Sequence, residues 1–328
     1  MLHSLLQFAS PAGARARLSV LVLHRVLPRH DPLFPEAIDA ARFDELCGWL
    51  KSLFNVLPLD TAVERLRTGS LPARALAISF DDGYADNHSQ AMPILLRHGL
   101  CATFFIATGF LDGGRMWNDT VTEAVRRTPL ASLDLRDLLR NDAALYALDD
   151  SMQRRAALEA IIGQAKYLSV DKRAQVVHDI AERSGATLPN DLMMTSEQLV
   201  QMHRAGMQIG AHTVSHPILA TLDEHAARRE MHDSKLRLEE LLGERVGLFA
   251  YPNGKPGEDY SPASVALARE IGFDAAMSTT WGAAHRATDP FEMPRFTPWD
   301  RSRLRFGARM ARNLWASRDR SMPAMRGA

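Results

Sequence analysis

The chain has little cysteine, no excess of charge of either sign and no long apolar run. Lys+Arg and Asp+Glu stand at 39 each in 328 residues, so no net field gathers polyanions and nucleic acid is not an expected partner. Its two cysteines, Cys47 and Cys101, fall in an apolar helical pattern and an apolar strand pattern. That excludes a disulfide scaffold and a zinc–thiolate cluster and predicts buried thiols. No stretch approaches the ~18 uninterrupted apolar residues of a membrane-spanning helix. The N-terminus lacks a basic segment ahead of an apolar one, and Arg15 and Arg17 interrupt the one candidate run. No signal peptide is read, and a soluble cytoplasmic protein is expected. Internal repeats and low-complexity segments are missing as well. The 46% hydrophobic and 24% charged fractions are those of an ordinary globular protein, which excludes disorder.

What is present is an alternation of strands and helices. Leu18–Leu23 and Ala75–Phe80 are short apolar runs that read as buried strands, and residues 100–107, 207–211, 246–250 and 274–277 read likewise. Helical spacing recurs over residues 41–53, 60–66 (with Asp60 as N-cap), 93–98, 196–204, 225–242 and 262–271. Gly99 stops the helix at His98, and strand, helix and strand then recur within about 30 residues, the length of a parallel crossover. The expected class is α/β, a single domain over residues 1–328. Residues 117–195 change character: glycine is sparse, no strand is convincing, and amphipathic stretches such as 151–167 dominate. This reads as a helical insertion over one end of the sheet, with a role in substrate access or in packing alone. Residues 301–328 form a basic amphipathic tail, a solvated terminal helix or a peripheral membrane contact.

Three segments place ionisable or turn residues at the ends of expected strands. In Ser79–Gly83 two aspartates, Asp81 and Asp82, directly follow an apolar strand. Adjacent like charges resist joint ionisation unless a cation or donors compensate, so the pair asks for a partner. Regular alternation would point the two apart, and Gly83 permits the sharp departure that unites them. Either one alone could cap the next helix. In the second segment, His212 and His216 stand four apart between Gly210 and Pro217, a spacing for one metal ion on a helix face or, given the flanking residues, on a strand-end loop. The third segment, Phe249–Gly254, runs a strand into a turn containing Tyr251, Pro252 and Asn253. Taken alone it is an ordinary turn. All three lie at C-terminal strand ends, where barrel active sites assemble.

The segments SFDDG at residues 79–83, HTVSHP at 212–217 and FAYPNG at 249–254, in that order, resemble the polysaccharide deacetylase family, carbohydrate esterase family four. The resemblance covers roughly residues 18–300. It implies a deformed (β/α) barrel, usually of seven parallel strands, and hydrolysis of N-acetyl or O-acetyl groups on a saccharide during polysaccharide synthesis or modification. It implies one divalent metal ion, zinc first among candidates, held by Asp82, His212 and His216, with Asp81 as the base. The Asn253 N–H would face the developing oxyanion and Tyr251 would line the sugar site. Two neutral imidazoles and one carboxylate leave open coordination positions, as a catalytic site requires.

The chain departs from the family pattern twice. Ala250 stands where many members carry an arginine that orients the base, and Arg295 is the candidate substitute. The late Leu-x-His motif that supplies a general acid is missing. His24, at the end of the first strand, is the candidate to protonate the leaving amine or touch the sugar, its alternative being a histidine satisfied by loop backbone. Competing readings are an amidase of the same fold, which would release ammonia or formate instead of acetate, and a saccharide-binding relative without turnover. An iron oxygenase is weaker, because Asp82 lies far ahead of both histidines.

Overall fold

The computed structural model describes residues 2–166 and 168–316; residues 317–328 of the basic tail and Tyr167, at the end of one expected helix, lie outside the described residues. The described residues pack as two compact units, one within residues 2–28, 38–111 and 194–316, the other within residues 29–37 and 112–193.

The first unit is built on a seven-stranded sheet whose pairings are all parallel: β1 (Leu18–Leu23), β2 (Asn55–Val56), β3 (Ala75–Phe80), β4 (Thr103–Ile106), β5 (Gln208–Ala211), β6 (Leu248–Ala250) and β7 (Ala275–Met277). The order is β1-β3-β4-β5-β6-β7. Six of these strands follow the apolar runs. β2 does not, because two residues carry no periodicity; it lies beside the first half of β3, along an edge that β4 meets only at Ser79 and Phe80. Residues 293–296 bridge the two ends of the sheet: Met293 exchanges hydrogen bonds with Ala276 and Ser278, and Phe296 with Val20 and Val22. The result is the deformed (β/α) barrel expected for this pattern, a parallel sheet curled on itself and clad in helices.

Alternation along each strand divides the core in two. Leu18 and Val20, Ala75 and Ala77, Phe105, Leu248 and Ala250, and Ala275 and Met277 form one cluster enclosed by the curled sheet. Their neighbours Leu21, Leu76, Ile78, Phe80, Phe104, Ile106, Ile209 and Phe249 form the other, beneath the outer helices. Small residues on the inner face of β3 leave room, whereas Phe80 stacks on Phe104 outside. The phase of β3 carries past its last residue: Ser79 and Asp81 continue the inner row, and the Asp81 N–H extends the ladder by bonding the Leu23 carbonyl at 2.9 Å.

The outer helices Ala40–Leu53, Met92–His98, Ser196–Arg204, Glu224–Leu242 and Pro262–Glu270 follow the expected pattern with the usual shift of a residue or two at their ends. Asp39, Thr195, Asp223 and Ser261 cap four of them through side-chain oxygens. Asp60 is not the N-cap read from sequence: Leu59–Thr68 starts after Pro58 and Asp60 lies in its first turn, where a carboxylate still suits the helix dipole. Gly99 ends its helix with φ +65. Helix Leu2–Ala9 carries no strong signal in the sequence and packs on helix Arg303–Ala316. Cys47 is buried and Cys101 half-buried, both as free thiols; burial pushes the Cys47 thiol up to about 12. Among the described residues no helix is long and apolar enough to cross a membrane.

The second unit holds helices Trp117–Arg127, Arg136–Leu139, Ser151–Ala165 and Val170–Ser184 around its own core of Leu33, Val121, Val125, Leu158, Ile161 and Ile180. It also contains an antiparallel ribbon, Ser132–Asp134 with Leu145–Ala147, where the sequence suggested no strand. Three residues with a single buried side chain, Leu133, are too few to register as alternation.

Candidate active site

Asp81 and Asp82 directly follow β3, with both side chains buried. Asp82 takes φ +79 and Gly83 φ +91, so the chain leaves the extended conformation at once. The left-handed turn re-aims Asp82, which strict alternation would send to the outer face. A Cβ on Gly83 would also crowd Ile106 at 3.3 Å. For a non-glycine residue such a φ is strained, and it recurs in the neighbouring motifs at Thr213 (+67), His216 (+55) and Asn253 (+58).

His212 extends β5 by bonding the Ile106 carbonyl at 3.0 Å, and the chain then loops rather than coils. The His216 N–H donates to Thr213 Oγ1 at 3.1 Å, and the Glu230 carboxylate receives the Val214 and Ser215 N–H groups at 2.9 and 2.8 Å and the Ser215 hydroxyl at 2.6 Å. The two histidines therefore meet through a pinned strand-end loop, with ring centroids 4.8 Å apart. Glu230 escaped the sequence reading although a signal was there: it sits beside Ala227 and Met231 on the buried stripe of its helix, where an acid requires a partner.

His212 Nε2 and His216 Nε2 each lie 3.5 Å from Asp82 Oδ1, and one donor atom from each of the three residues falls within 4.8 Å of the others. Donors sharing a tetrahedral zinc ion lie about 3.3–3.4 Å apart. Asp82 Oδ1 is buried and without a hydrogen-bond partner. An unpartnered carboxylate oxygen facing two imidazole nitrogens is the donor set of a divalent cation, so the residues fit a metal. His212 Nδ1 stands 2.7 Å from the Ala250 carbonyl, to which it can only donate, leaving Nε2 as the atom turned toward Asp82. Burial raises the Asp82 pKa, but the surrounding histidines outweigh it and hold the group well below the carboxylate range. Burial takes His216 down to about 4 against the pull of Asp82, so this imidazole is neutral at pH 7 with a lone pair to give. Burial also lowers His212, yet Asp81 and Asp82 together carry it above its ordinary value.

Beside this trio, Asp81 is gripped by Arg295. Nη1 donates to Oδ1 at 2.6 Å and Nη2 to Oδ2 at 2.8 Å, while Nε donates to the Ser278 carbonyl at 3.0 Å. Arg295 is 1% exposed and stands on the segment that bridges β7 and β1, its backbone outside any regular strand. Burial pushes the Asp81 carboxyl up, and the guanidinium and His212 more than reverse it. His24 is exposed, and its imidazole lies close enough to act electrostatically on Asp81, Asp82 and His216. Its loop is held by two residues the sequence reading did not single out: Asn87 donates to the His24 carbonyl at 2.9 Å, and Asp86 accepts from the Val26 N–H at 3.1 Å and from Arg25 Nε at 2.7 Å. Asn253 is exposed, three residues past the carbonyl that orients His212, and its N–H has no partner among the described residues.

Tyr251 is the exception. Its ring is fully buried in the outer core, stacked on Tyr260 at 3.9 Å, and its hydroxyl donates to the Phe291 carbonyl at 3.1 Å. The structure does not bring this side chain to the pocket, which corrects its assignment to the sugar site. Tyr251 follows inner-facing Ala250 and so points out of the sheet. Tyr251→Phe is expected to cost about 1 kcal/mol of stability by thermal unfolding, from the lost hydrogen bond, and to leave KM for any saccharide unchanged; a raised KM would return the residue to the site.

A family model described as "Polysaccharide deacetylase" matches residues 68–276. The protein YxkH of Bacillus subtilis (strain 168), whose name places it among the polysaccharide deacetylases, is 19% identical over 273 residues, 83% of this chain and 67% of its own. Among solved structures, IcaB from Ammonifex degensii superposes with a TM-score of 0.59 at 18% identity, covering 92% of this chain and 98% of its own. The Streptococcus pyogenes deacetylase PplD in complex with acetate superposes with a TM-score of 0.57 at 19% identity, covering 86% and 92%. At these identities the two structures speak for the fold.

Proposed function

Because the chain belongs to the polysaccharide deacetylase family, we propose that it removes the acetyl group of an N-acetylated saccharide with one divalent metal ion held by Asp82, His212 and His216. Membership makes it a hydrolase of carbon–nitrogen bonds, a deacetylase acting on polysaccharide; the metal, with zinc the first candidate, and the N-acetyl substrate are our reading. The observation that carries it is the unpartnered Asp82 Oδ1, equidistant from two imidazoles and adjacent to an arginine-locked second aspartate.

An ion bound there would supply Lewis-acid activation of a water and of the acetyl carbonyl. The protein's own groups do the rest. Asp81, held ionised by Arg295, accepts the water proton on an oxygen lone pair that the guanidinium leaves unused. The fork fixes the rotamer of the base, so the proton acceptor is placed before substrate arrives. The Asn253 N–H donates to the oxygen on which charge develops, an effect worth about 3–4 kcal/mol in other hydrolases. His24, at the exposed rim, protonates the leaving amine.

Metal analysis coupled to acetate release tests the reading. Protein stripped by a chelator should lose turnover on N-acetylglucosamine oligomers and regain it with zinc or a second divalent ion. Full turnover in metal-free protein would refute the metal, and ammonia release from simple amides without acetate release would move the chain to the amidase reading. His24→Ala should lower kcat by about 10²-fold with metal content unchanged; unaltered kinetics would remove His24 from the site.

A further inference from the structure

Helices Leu2–Ala9 and Arg303–Ala316, from opposite ends of the chain, pack side by side. Leu2 sits so close to Gly307 that a Cβ there would lie 2.9 Å from its side chain. Leu6 and Ala9 on one helix and Phe306, Met310, Ala311 and Leu314 on the other are buried, Phe306 beside Trp49 and Phe54. Large apolar side chains nevertheless face solvent: Phe8 is 71% exposed, Leu304 72% and Trp315 40%. On the second helix Leu304, Ala308, Arg312 and Trp315 follow one another at turn spacing, so the exposed apolar residues share a stripe with a cation. Trp299 and Trp281 continue the exposed aromatic surface, 5.1 Å apart, with the Arg309 guanidinium over Trp299.

The charge carried by these two helices themselves has one sign. Residues 1–30 and 301–318 contain no Asp or Glu, whereas Arg301, Arg303, Arg305, Arg309 and Arg312 fall within the second segment. Asp300, just before it, is buried and engaged by Arg309 at 2.8 Å. Arg303, Arg305 and Arg312 are exposed. In a protein whose total charges balance, this local excess is not a consequence of composition.

We propose that these two terminal helices dock the protein on an anionic lipid surface. Leu304 and Trp315 are about 16 Å apart along their helix, and the exposed arginines beside them, on a helix with no acidic residue, match an anionic surface. A fluid interface accepts each apolar side chain separately, and arginine and tryptophan are the side chains suited to its headgroup layer. The cations require that the headgroups be anionic, at about fivefold in partitioning for each basic side chain near the surface. This docking stands apart from the deacetylase reading, since vesicle binding reports one and acetate release in solution the other.

The test is sedimentation of the full chain with vesicles of phosphatidylcholine, alone or with phosphatidylglycerol. The protein should follow only the anionic vesicles and leave them at high salt. Arg305→Glu with Arg312→Glu should weaken binding about 25-fold or more, and Phe8→Ser with Leu304→Ser about tenfold or more, with thermal midpoint and acetate release unchanged in both. The proposal is overturned if anionic vesicles leave the protein in the supernatant at low salt, or if neither pair of substitutions alters binding. It is equally overturned if light scattering finds a dimer that these substitutions dissolve, which would assign the face to a second copy of the chain.

Discussion

Asp81→Asn is expected to lower kcat for acetate release by about three orders of magnitude while the protein keeps its metal. The carboxylate is a proton acceptor locked in place beside the trio by Arg295, and general-base catalysis contributes about 10²–10⁴ in rate. Asp82, His212 and His216 are untouched by the change, so metal content after gel filtration should match the parent. The amide does disturb Arg295: the new carboxamide oxygen can still accept from the fork, but its NH2 group now faces a guanidinium donor. The buried guanidinium left without its counter-ion costs about 3 kcal/mol of stability, a loss that unfolding at neutral pH would register without accounting for the rate. A metal-loaded, folded Asp81→Asn protein with near-parental kcat would show that the water loses its proton elsewhere.

Much of this site is legible along the chain, and the limits of that legibility have physical causes. The apolar run of β3 marks its inner row, which places Asp81 by phase alone. Asp82 can be placed only by its chemistry, because a left-handed backbone at a non-glycine residue leaves no mark in the pattern. Four-residue spacing of His212 and His216 suits a helix as well as a loop, and Gly210 and Pro217 point to the loop that the structure contains. At Tyr251 phase and resemblance conflict: alternation from Ala250 sends the ring outward, family likeness sends it to the sugar, and phase prevails. Arg295 lies 214 residues from Asp81, on a proline-flanked segment joined to the sheet by isolated bridges. Nothing periodic announces such a segment, and only the missing arginine at Ala250 draws attention to a distant one. The units divide for a similar reason: residues 29–37 join the helical core through Leu33, a tertiary fact with no local signature.

Arg295→Met should be the most damaging single change to the fold of the site, and its pH dependence should carry the explanation. Removing the guanidinium leaves Asp81 buried without its counter-ion, a defect of about 3–5 kcal/mol. In the parent, Arg295 outweighs the effect of burial and keeps the folded pKa of Asp81 below its unfolded value of about 3.9. That depressed group contributes stability above the unfolded value, lost only as pH falls through the folded one. Without Arg295 burial prevails, the folded pKa rises above the unfolded value, and the sign reverses: the ionised group now costs stability at neutral pH, and the cost is relieved as protons bind. Thermal midpoints of the variant should therefore converge on the parent as pH drops from 7 toward 5, and the acid limb of its kcat profile should move to higher pH, because the base is neutralised earlier. Adding Asp81→Asn to Arg295→Met removes the stranded charge and should recover at least half of the lost stability while activity stays low, a coupling that simple loss of arginine packing would not produce. An acid limb at its original position in Arg295→Met, with no recovery in the double variant, would mean that the fork neither holds Asp81 ionised nor prepares it to accept a proton.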